Sequence, residues 1–91
     1  ARVVDLLSLA RKAGLAVCGF EKVKDALAAA GEGAARGAWA RIGVLLQAED
    51  GSARGKAKLW TPEGARYFSC LSAAELGRAF GRDGVIHAAV A

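Results

Sequence analysis

"LSAAELGRAFGRDGVIHAAVA", residues 71–91, carries the firmest fold information in the chain. Ser72 followed three residues later by Glu75 spells a capping box, in which each side chain takes up a backbone amide of the other residue, and Leu71 is placed to staple onto Leu76. Ala73, Leu76 and Phe80 recur at helical spacing, Gly81 supplies a stop, "RDG" forms a tight turn, and "VIHAAV" reads as a buried strand. A capped helix that returns at once to an apolar strand is a repeating unit of a sheet covered by helices.

The segments upstream alternate in the same way. "IGVLLQ", residues 42–47, is a near-continuous apolar run of the kind buried on both faces in the middle of an α/β sheet. "LAVC" and "RYFSCL" read as further strands. Residues 2–13 place Val3, Leu6, Leu7 and Ala10 on one helical stripe, with Gly14 as the stop after Arg11 and Lys12. A second helix carries Phe20, Val23, Leu27 and Ala30 inward, leaving Glu21, Lys22, Lys24 and Asp25 on its outer face. After "AEDGS" a third helix is expected to group Ala53, Ala57 and Trp60 on one face, with Arg54, Lys56 and Lys58 elsewhere, and Thr61 and Pro62 should end it. Gly31 to Ala40 reads as a flexible connection or a frayed helix end. The order α-β-α-β-α-β-α-β with short links, and no internal repeat, predicts one domain with helices on both sides of a sheet.

Composition narrows the function. The 91 residues are 54% hydrophobic, enough for one compact core. Thirteen Lys and Arg against nine Asp and Glu give a formal charge of +4, which favours polyanionic partners such as nucleic acid. Cys18 and Cys70 lie far apart and form no C-x-x-C pair, so neither a zinc knuckle nor a disulfide framework is indicated; buried thiols in a reducing cytoplasm are the expectation. No apolar run approaches the ~20 residues of a membrane helix, and no signal-peptide pattern is present. The chain starts at Ala1 without a methionine, which suggests a C-terminal fragment of a longer protein.

Catalysis finds little support. His87 is the single histidine, there is no G-x-S-x-G elbow, and Glu49 and Asp50 sit at a strand-to-helix handover where carboxylates serve as helix caps. "GEGAARG", residues 31–37, follows a helix rather than a strand, which is the wrong context for a dinucleotide loop, and the Walker pattern is absent. No enzyme, cofactor or metal set is therefore expected. The junction at Gly19 is the better candidate for chemistry. A glycine there admits a ligand to the backbone, the first amides of the following helix carry partial positive charge, and Lys22 and Lys24 add full charges.

Four strings in order, "LLSLARKAG", "GFEKVKDAL", "VLLQAEDGS" and "LSAAELGRAFGRDGVIHAAVA", resemble the ribosomal L-seven-Ae and L-thirty-e superfamily, whose members bind kink-turn and related RNAs. More narrowly, the chain resembles the C-terminal half of bacterial YlxR-type proteins, in which a basic nucleic-acid-binding domain comes first. The resemblance spans nearly the whole chain. It implies a three-layer α-β-α sandwich around a mixed four-stranded sheet, ribosomal L-thirty-e-like, and a partner that is structured or ribosomal RNA, with the ribosome or a missing N-terminal domain as further partners. Its RNA surface would fall on Gly19, Phe20, Glu21, Lys22 and Lys24 together with Arg82, Val85 and Ile86 of the "RDGVI" loop. Kink-turn binders follow the glycine with a small residue, then Asn and Glu, then a later lysine; here those positions hold Phe20, Glu21, Lys22 and Asp25, and the chain contains no asparagine. An ionised carboxylate only accepts hydrogen bonds, so Glu21 cannot reproduce an amide that also donates, which speaks against sequence-specific kink-turn reading. The rival expectation is a protein-interaction module that has lost RNA recognition.

Overall fold

In the computed structural model, which describes residues 2–91, the elements run α1 (Arg2–Lys12), β1 (Ala16–Cys18), α2 (Phe20–Gly31), a 3₁₀ turn (Gly37–Ala40), β2 (Val44–Gln47), α3 (Ala53–Lys56), β3 (Arg66–Phe68), α4 (Ala73–Ala79) and β4 (His87–Val90). The four strands form one open sheet in the order β1-β4-β2-β3. β4 pairs antiparallel with both β1 and β2, and β3 joins β2 in parallel, so the sheet is mixed.

Strand alternation distributes the core to both faces. Ala16, Cys18, Leu46 and Ala88 project to one side and pack with Val4 and Leu7 of α1 and Leu76 and Ala79 of α4. Leu45 and Ala89 project to the other, where Val23 and Leu27 of α2 meet Ile42 and Leu59. Helices thus cover both faces of the sheet, as the alternation of segments predicts.

The ends of the helices are built as their residues dictate. Ser72 Oγ accepts from the Glu75 amide while Glu75 Oε1 accepts from the Ser72 amide, closing the capping box. The Ser72 amide donating to it, and secondarily the Ser72 hydroxyl beside it, hold the Glu75 carboxyl below the usual carboxylate range. Asp50 adds a third bond by accepting from the Ala73 amide at 2.8 Å. Asp50 therefore caps α4 across the fold and not the helix that follows it; Ser52 performs that task, its hydroxyl accepting from Gly55. Gly14, with φ +77°, ends α1 in a Schellman turn, in which the Gly14 amide donates to Arg11 and the Leu15 amide to Ala10.

Four expectations change. Cys18 is buried as expected of both thiols, but Cys70 is exposed at the end of the edge-strand segment. The buried stripe of α1 is Val4 and Leu7, while Val3 and Leu6 lie on the exposed side at 43% and 54%. Apolar residues occupy a wider arc of this helix than the sheet and α4 can cover. The third helix is one turn long, and Leu59 beyond it fills the core while Trp60 is exposed; Gly55 inside the segment weakens it, and Pro62 forbids its continuation. The stretch 31–40 is tied down by Trp39, whose indole N–H donates to the Gly14 carbonyl at 3.0 Å and whose ring packs against the α2 core.

Gly77 places the loop that follows α4. A Cβ at this position would stand 2.5 Å from the Arg82 carbonyl oxygen and 3.0 Å from backbone atoms of Asp83 and Gly84. Gly77→Ala is therefore expected to destabilise the domain by about 1–3 kcal/mol, because the clash with backbone outweighs the gain of roughly 1 kcal/mol in helix propensity. Urea unfolding measures it, and an unchanged or raised midpoint contradicts this packing. Leu76→Ala, at a fully buried position, should cost about 2–5 kcal/mol in the same assay.

Candidate nucleic-acid interface

Gly19 turns the chain from β1 into α2 with φ +95° and ψ 145°, a conformation essentially restricted to glycine. Its amide donates to the His87 carbonyl at 3.0 Å, and its own carbonyl accepts from Val23 at 3.0 Å, which begins α2 immediately. Space beside the Gly19 Cα is open, with no atom within 4 Å of where a Cβ would lie. No side chain caps α2. The first amides of a three-turn helix consequently face outward beside Glu21, Lys22 and Lys24, all exposed.

Phe20 is half-buried against the α2 core. Its ring meets His87 edge-on, with centroids 5.7 Å apart and planes at 66°. The Lys24 ammonium stands 5.9 Å from the Phe20 ring centroid, within cation–π range. A nucleobase stacking on Phe20 would share the ring with that ammonium.

The second half of the expected surface divides. Arg82 is exposed on the loop after α4, and it lines one recess with Lys22 and the end of β1. Ile86 is 36% exposed. Val85 is turned into the core between α4 and the sheet, at 5%, and offers no side-chain surface to a base. The fold therefore brings Lys22 and Arg82 to one recess beside β1, next to the turn at Gly19, while Phe20 packs on the α2 face of the sheet and Val85 in the core on the other face.

A buried polar chain runs through Tyr67, Gln47 and His87, and no local sequence signal connects its members. Tyr67 donates its hydroxyl to Gln47 Oε1 at 2.8 Å. Gln47 Nε2 donates to the Lys56 carbonyl at 3.0 Å and stands 3.2 Å from His87 Nδ1. An amide NH₂ only donates, so Nδ1 must be the lone-pair acceptor and the imidazole is neutral, with its proton on Nε2. Burial acts in the same direction, holding His87 below the usual histidine range. The available signal was a histidine and a glutamine at strand ends in an otherwise apolar context, but their partners lie 40 and 20 residues apart in the chain.

Among the described residues, no group of three or more His, Cys, Asp or Glu stands together to hold a metal ion, and no helix is long and apolar enough to cross a membrane. No protein-family model, curated protein or solved structure matches this chain significantly. The class that fold and site define is a mixed α/β domain with helices on both faces of an open sheet and a basic corner at the end of β1.

The neutral histidine has a measurable consequence. With its folded-state pKa below the unfolded value of about 6.5, His87 binds its proton more readily in the unfolded chain; the stability it confers is whole above about pH 6.5 and is lost as pH falls through the folded value. The thermal midpoint should be level from about pH 7 to 8 and decline below about 6.5. His87→Phe keeps an aromatic ring beside Phe20 and cannot be protonated, so it should lower the midpoint at pH 7 yet flatten the decline that begins below about pH 6.5. A variant that keeps the full wild-type decline would exclude His87 as its source.

Proposed function

We propose that this is a non-catalytic RNA-binding domain of the ribosomal L-thirty-e-like kind, which contacts structured or ribosomal RNA through the Gly19 junction and the Arg82 loop. The observation that carries the reading is the convergence of Lys22 and Arg82, sixty residues apart in the chain, on one recess at the end of β1. The exposed first turn of α2 and the open space at Gly19 add backbone donors beside those cations. Phosphate contacts of this kind position a folded RNA without reading its bases. Glu21 lies on the same turn as an acceptor, so any base contact it makes is to an exocyclic amine or imino N–H and not to the donor–acceptor edge an asparagine reads.

A second reading, a protein-interaction module, draws on a different observation. Val3, Leu6, Phe68 and Cys70 help line an apolar groove of about 310 Å³ between α1 and the edge strand β3. Pull-down with and without ribonuclease separates the two readings, because partners kept after digestion favour the protein module.

Binding to folded ribosomal transcripts should weaken linearly with log salt, since each neutralised phosphate releases counterions. Lys22→Glu with Lys24→Glu is expected to reduce affinity at low ionic strength by about tenfold or more, whereas Arg54→Glu with Lys56→Glu changes it by less than about threefold. Equal losses in the two double variants would remove the assignment of the site to the Gly19 corner.

A further inference from the structure

The basic recess at the end of β1 has a third cation that the resemblance did not supply. It is lined by Arg11, Lys22, Arg82, Phe80 and the β1 residues Ala16 to Cys18, encloses about 160 Å³, and has no carboxylate in its wall. By liquid volume that is room for about five waters, enough for a tetrahedral oxyanion with part of its hydration. The three cations arrive from separate elements: Arg11 from the last turn of α1, Lys22 from the first turn of α2, and Arg82 from the loop after α4. Arg11 reaches across toward that loop, its Nη1 lying 3.7 Å from where a Cβ of Gly81 would be.

The backbone contributes independently. β1 is an outer strand whose one neighbour is β4. The Ala91 amide donates to Leu15 and the Gly19 amide donates to His87, so residues 15, 17 and 19 make the hydrogen-bonded pairs with β4. The amides and carbonyls of Ala16 and Cys18 consequently point away from β4, toward the open edge where the recess lies. Three side-chain cations and outward strand amides meet at one concavity with an aromatic floor from buried Phe80.

We propose that this recess is a phosphate-binding pocket in which Arg11, Lys22 and Arg82 surround one phosphate group and the Cys18 amide donates to it. As the seat of an RNA backbone phosphate it rests on the RNA-binding reading above; as an anion pocket it stands on the donor set alone. The guanidinium groups of Arg11 and Arg82 suit the planar, two-pronged donation that phosphate oxygens accept, and Lys22 adds a point charge. Arg11 then becomes an RNA-contacting residue on α1, outside the surface that the resemblance implies.

Two titrations of the whole chain test the proposal, each made on wild type and Arg11→Gln, a substitution at an exposed position that leaves the core intact. In the first, inorganic phosphate is added at low ionic strength while backbone amide NMR shifts are followed; the Cys18 amide should move in wild type, and at least fivefold less in Arg11→Gln. In the second, affinity for a folded ribosomal transcript is measured against salt. Arg11→Gln should bind about five- to tenfold more weakly at low salt, with a log–log slope shallower by roughly 0.7–0.9. Both effects together identify the phosphate as one of the RNA backbone. Phosphate-dependent shifts that require Arg11, with no RNA binding by wild type, support a pocket for free phosphate and overturn the RNA reading. RNA binding that survives Arg11→Gln unchanged, with a still Cys18 amide, overturns this pocket and leaves the RNA reading standing. Neither response in wild type overturns both.

Discussion

Both hydrogen-bonding edges of β4 are occupied, odd-numbered residues pairing with β1 and even-numbered residues with β2, and this double pairing is the constraint on which the rest of the molecule depends. The strand is also covered by helices on both faces, which demands close approach from each side. β4 meets that demand with Ala88 and Ala89, both wholly buried and small enough for α4 and α1 to approach from one side and α2 from the other. The same strand sets the position of the candidate site. The carbonyl of its first residue, His87, anchors the Gly19 amide, and the loop that delivers β4 from α4 carries Arg82. The turn at Gly19 and the arginine loop are neighbours because one strand ties both.

The two outer strands have opposite chemical character. Beside β1 the wall is cationic, with Arg11, Lys22 and Arg82 drawn from three elements. Beside β3 it is apolar, with Val3, Leu6 and Phe68 bordering a groove. Between these rims the Gln47 amide accepts from Tyr67 and donates to the Lys56 carbonyl and His87 Nδ1, which ties β2 to β3, β4 and the segment of α3 at once. His87 in turn meets Phe20 edge-on, so the aromatic ring at the basic corner is seated by a buried polar network as well as by apolar packing.

Some of this was legible in the chain because the signals were local. The capping box at Ser72 and Glu75, the stop at Gly14 and the apolar run into β2 each act over a few residues, and each appears in the fold as read. Other signals were degenerate. In α1, Val3, Val4, Leu6 and Leu7 are apolar on two adjoining arcs, and only the placement of α4 and the sheet selects Val4 and Leu7 for burial. Trp60 matched a helical stripe, yet a one-turn helix ended by glycine and proline gives it no partner, and Leu59 takes the core position. Asp50 was readable as a cap but not as the cap of a helix more than twenty residues further on.

Sequence alone determined the class: alternating helices and strands, one apolar core, an excess of positive charge, and a glycine that opens a lysine-bearing helix. Those properties depend on backbone preference and periodicity, which act between near neighbours. Tertiary structure alone decided which charges meet, that Val85 faces inward, and that His87 finds Gln47 as its partner. Each of these depends on strand order and register, set by the closing of long loops around a common core, and no short window of residues contains that information.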